Sequence, residues 1–70
     1  MLNVNEAIQK IKSIGASNVR IVPMAGQPIN SGDHQIEIKS GINWEPIVSG
    51  VKKKMAEDIV NQAINKVILG

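Results

Sequence analysis

The residues with the most chemical potential in this chain are cations. Lys52-Lys53-Lys54 is its densest run of charge, and Lys39 lies between the single arginine, Arg20, and the single aromatic residue, Trp44. The lysine run falls where a long helix is expected to begin. The macrodipole there favours anions and disfavours cations. By helical angle, Lys52 and Lys53 project towards the apolar side of that helix and Lys54 lies on the polar side. A local rule broken in this way marks a place to look for function. Free N–H groups at a helix start, joined by lysines, would hold a phosphate or another anion. Ser49 and Gly50, just before them, would allow close approach. In the plainer reading the lysines snorkel and solvate a helix end, helped by Glu57 and Asp58 one turn further on.

Trp44 has two readings as well. On a chain whose other large apolar residues are aliphatic, it serves as a core or interface plug. If exposed, it would stack a base or nucleotide ring, with Arg20 or Lys39 supplying charge. A binder of single-stranded nucleic acid interleaves several aromatics with its basic residues, and this chain has one.

His34 is the lone histidine and follows Asp33. Neighbours in a strand point to opposite faces, so the two do not form a working pair there. No nucleophile elbow accompanies the five serines. A Ser-His-Asp constellation is therefore not indicated. One histidine, scattered carboxylates and no cysteine match no metal-ligand spacing. Gly26 and Gly32 are not followed by the Lys-Ser/Thr pair of a phosphate-binding loop. The chain thus reads as non-enzymatic, with no cofactor. The candidate ligand-binding set is Ser49, Gly50, Lys52, Lys53, Arg20, His34 and Trp44.

The largest positioning element is the last third, Gly50–Gly70. Ser49 is the expected N-cap of a helix beginning at Val51. Val51, Met55, Ala56, Ile59, Val60, Ala63, Ile64, Val67 and Ile68 recur at helical spacing. They fill an arc of roughly 180°, wider than the roughly 100° stripe of an ordinary surface helix. Lys54, Glu57, Asp58, Asn61 and Asn65 make the polar arc. Such a helix, roughly 28 Å long at the usual rise, exposes more apolar surface than one small sheet covers. Self-association through Met55, Ile59, Val60, Ala63, Ile64, Val67 and Ile68 is the expected remedy in a chain with little core of its own.

A shorter helix opens at Asn3. Asn3 caps it and Glu6 reaches back, a capping box. Val4, Ala7, Ile8, Ile11 and Ile14 share one face, and Gly15 ends it. Ala16-Ser17-Asn18 connects to a strand over Val19–Met24, with Val19 and Ile21 on one side. Pro23 cannot donate to a ladder, so this strand is an edge or ends there. Ala25–Asp33 is a loop rich in turn formers and longer than a usual hairpin connection. His34–Lys39 and Ile42–Ile47 alternate as strands. A three-residue loop, Lys39-Ser40-Gly41, would pair Ile38 with Ile42 and Ile36 with Trp44 and keep one face apolar. Pro46 marks a second edge or an early end, which leaves the strand order open.

Twelve Ile and seven Val against two Leu also favour a sheet. The fold expected is α+β: a small two-layer domain over residues 1–70, ordered α-β-β-β-α, with an antiparallel sheet. No secretory pattern and no span of about 20 apolar residues occurs, so a cytoplasmic protein with no membrane partner is expected. A net charge of +2 is too weak by itself to indicate nucleic acid.

These readings favour a small homo-oligomeric binding protein. It would bind or sequester an anionic, nucleotide-like small molecule or a host protein, as small accessory proteins of phages and mobile elements do. Nucleic-acid binding through Lys52–Lys54, Arg20 and Trp44 is one alternative. A purely structural assembly subunit is another.

Overall fold

The computed structural model describes residues 2–29 and 31–69, with side chains described through 64. The elements run α1 (Val4–Ile14), a 3₁₀ turn (Ala16–Asn18), β1 (Val19–Pro23), β2 (Asp33–Ser40), β3 (Asn43–Lys52) and α2 (Lys53–Leu69). The α-β-β-β-α order and the antiparallel sheet are those expected. Asn3 accepts from the Glu6 amide at 2.8 Å, and the Glu6 side chain accepts from the Asn3 amide at 3.1 Å. This capping box satisfies two of the otherwise unpaired first-turn donors. Gly15 then leaves the helix at φ 87°, a conformation that favours glycine.

The strand order is β1-β2-β3. Both flanking strands are therefore edges, and both prolines are accommodated at once: Pro23 closes β1 and Pro46 lies in β3. Proline at an edge also leaves a gap in the row of donors that would recruit another strand.

The register between β2 and β3 differs from the sequence expectation. Ser40 pairs with Asn43, Lys39 with Trp44 and Ile38 with Glu45. The connection is a two-residue turn, Gly41-Ile42, rather than the three-residue loop Lys39-Ser40-Gly41. Gly41 has φ 65° and Ile42 does not have positive φ, the combination of a type II′ turn. Ile42 consequently faces water at the tip and is not opposite Ile38. The faces are kept apolar and polar by two register shifts, between His34 and Gln35 and between Ile36 and Glu37. The second lets the neighbours Ile47 and Val48 both be buried. The first coincides with Gly50, at φ 73°. An inserted residue in one strand re-aims every side chain beyond it.

A second correction concerns the start of α2. Ser49, Gly50, Val51 and Lys52 belong to β3, and the helix begins at Lys53. Ser49 is not its N-cap. The strand continues because Val51 pairs with His34 and Lys52 with Asp33. Lys52, Lys53 and Lys54 are all exposed, so none of them leans on the apolar side.

Both helices cover one face of the sheet. Ala7 and Ile11 of α1, Ile36 and Ile38 of β2, Ile47 and Val48 of β3, and Ala56, Ile59 and Ala63 of α2 form one buried cluster. Ile59 and Ala63 are 2% and 1% exposed, so the chain itself covers two residues expected to face a second copy. Val60 and Ile64 are half-buried and Met55 is exposed. Val67 and Ile68 lie outside the residues whose side chains are described.

Candidate functional site

Among the described residues no helix lies on the opposite face of the sheet. Alternation along β2 places Asp33, Gln35, Glu37 and Lys39 there, since His34, Ile36 and Ile38 point into the core. The pairing brings Arg20 of β1 level with Glu37 and Pro46, and Val22 level with Gln35 and Ser49. Trp44 stands beside Lys39, and Lys52 beside Asp33. Three residues singled out in the sequence, Arg20, Trp44 and Lys52, therefore share one open surface.

Glu37 organises the middle of that surface. It is buried, and both of its oxygens are used. Arg20 donates from Nε to Oε1 at 2.6 Å, and Gln35 donates from Nε2 to Oε2 at 2.6 Å. A charge-assisted pair of this kind holds the arginine in place more firmly than a neutral bond would. The Arg20 guanidinium carbon also lies 4.3 Å from the centroid of the Trp44 ring. The arginine thus reaches from β1 across β2 to β3, fixed by a carboxylate on one side and an aromatic face on another. Among the described residues only its Nε enters a hydrogen bond, so the two Nη groups keep their donors. The Arg20 side chain remains 46% exposed. An arginine oriented through Nε with its Nη fork unspent is arranged to receive a phosphate or carboxylate in a bidentate manner.

The remaining candidates serve other roles. Lys52 donates from Nζ to Asp33 Oδ1 and to the Ser31 carbonyl, each at 3.2 Å. It ties the end of β3 to the loop between β1 and β2. Both partners of that ion pair are well exposed, so it contributes at most about 1 kcal/mol. Lys53 and Lys54 stand exposed in a first helical turn that contains no acidic residue.

His34 is buried on the core side, away from Arg20 and Trp44. Its Nδ1 lies 2.9 Å from the Gly32 carbonyl. A carbonyl only accepts, so Nδ1 carries the proton and His34 fastens the end of the loop. Ser49 is half-buried opposite Gln35, and the Gly50 amide donates to the Met24 sulfur at 3.2 Å. Ser49 and Gly50 accordingly do not front a helix N-terminus. Among the described residues no group of three or more His, Cys, Asp or Glu side chains could hold a metal ion.

Glu37 and Gln35 were not apparent as site residues from sequence. The signal was present in their alternation with Ile36 and Ile38, but without the β1–β2 register nothing connected Glu37 to Arg20. No family model, curated protein or solved structure matches the chain.

Proposed function

We propose that this chain is a non-enzymatic, homo-oligomeric binding protein that holds an anionic, nucleotide-like small molecule on the open face of its sheet. The observation that carries the reading is Arg20, anchored through Nε on Glu37, stacked over Trp44 and left with its Nη donors. A phosphate would meet the Nη fork beside the Trp44 ring, and Lys39, paired with Trp44, stands on the same face. Pre-organisation matters here. A guanidinium already fixed on both sides loses little further freedom when the ligand arrives. The lysines at the start of α2 are left with a solvating role.

The test is native mass spectrometry of protein isolated from cells, followed by denaturation and identification of what is released. The expected result is an oligomer that releases a phosphorylated compound, with that compound missing from an Arg20→Ala preparation. An equal yield from Arg20→Ala would remove the site from consideration.

A second reading, nucleic-acid binding, is favoured by one observation: Lys39, Arg20, Trp44 and Lys52 lie on a single sheet face. It requires affinity for an oligonucleotide that falls steeply with salt through counterion release. A nucleotide that binds as well as the oligonucleotide would dispose of it.

A further inference from the structure

Two apolar features at the hairpin end of the molecule have no partner among the described residues. One is Ile42, 92% exposed at the tip of the β2–β3 turn. A side chain this exposed buries almost no apolar surface against the described residues. The other is a recess of about 380 Å³ between α1 and the same end of the sheet. Its floor is Leu2, Ile14, Ile38 and Ile47, and exposed Lys10, Lys39 and Glu45 stand around it. None of these three charges forms an ion pair among the described residues.

We infer that these features belong to one interface between two copies of this chain, with the Ile42 tip of each copy seated in the recess of the other. The inference rests on the homo-oligomeric part of the proposed function and supplies its surface. Three points support a second copy as the occupant. A projecting apolar knob and an apolar hollow at one end of a molecule are self-complementary, as a two-fold contact requires. The recess is of a size that buries a ligand of several side chains' bulk, enough for a whole turn. Lys10 and Glu45 beside it are of opposite sign and form no ion pair among the described residues, so a two-fold that set Glu45 of one copy against Lys10 of the other would match their charges. The contact also replaces Ile59 and Ala63, which the chain buries for itself, and leaves the Arg20–Trp44 face on the outer side of the sheet.

The experiment is light scattering across a concentration series on the full chain, comparing the unmodified protein with Ile42→Asp and Ile42→Val. Circular dichroism shows whether each variant keeps its fold. A dimer is expected for the unmodified chain. Each dimer holds the contact twice, and each buried isoleucine contributes about tenfold, so Ile42→Asp raises the dissociation constant at least about a hundredfold. Ile42→Val keeps an apolar tip and retains most of the association. A dimer that Ile42→Asp leaves unchanged would overturn this surface while preserving self-association. A monomer at every concentration would overturn both. Ligand binding through Arg20 is read separately, by ligand release from Arg20→Ala.

Discussion

Arg20→Lys separates the charge at the site from its geometry. Lysine keeps the positive charge but has no planar fork, no Nε to place against Glu37 and a weaker stacking preference for Trp44. In the free protein the loss is small. The Arg20 side chain is nearly half exposed, which limits the Glu37 ion pair to about 0–1 kcal/mol. The exposed cation–π contact adds about 0.5–1 kcal/mol. A total of about 1 kcal/mol corresponds to a melting temperature lower by about 4–8 °C in a domain of this size. Binding loses more, because a hydrogen bond to a charged group is worth about 1.5–3 kcal/mol and the lysine gives up at least one. That is a drop in affinity of about 10- to 150-fold. Trp44 is the sole tryptophan, so its fluorescence reports on the site directly. Titration with a panel of nucleoside mono- and triphosphates would give both constants. An affinity that is the same in Arg20→Lys as in the unmodified chain would refute the role assigned to the fork. So would a melting shift with no accompanying loss of binding.

Other perturbations test the frame that carries the site. Ile59→Ala empties a position that is 2% exposed and is expected to cost about 2–5 kcal/mol in urea unfolding; a cost below 1 kcal/mol would contradict the packing of α2. Asn3→Ala removes one half of the capping box and should cost about 0.5–2 kcal/mol by the same measurement, with no effect on ligand affinity. Gly50→Ala meets open space around its new Cβ, so the expected loss of about 1–2 kcal/mol comes from the backbone at φ 73° alone; a neutral result would argue against the bulge.

Several local rules were legible in the sequence where one or two residues decide one feature. Asn3 with Glu6 announced the first cap, and Gly15 announced the end of that helix. Pro23 and Pro46 each asked for an edge, and a three-stranded sheet with β2 in the middle grants both. The register was not legible, because a bulge breaks the period of two on which register arguments depend. The adjacent pair Ile47-Val48 was the trace it left, since two neighbours in a regular strand cannot both face the core. The start of α2 was hidden for a related reason. Val51, Met55 and Ile59 keep a helical spacing, yet Val51 and Lys52 find strand partners in His34 and Asp33. The site itself depends on residues far apart in sequence. Arg20, Glu37 and Trp44 meet only through the pairing of three strands, which no local pattern records.

The most direct measurement of the central claim is an amide chemical-shift map of isotopically labelled protein titrated with nucleotides. Binding on the open sheet face would move the amides of Arg20, Gln35, Glu37 and Lys39 and the Trp44 indole together, with α1 and the first turn of α2 unchanged. Shifts confined to Lys53 and Lys54, or none with any nucleotide of the panel, would contradict it.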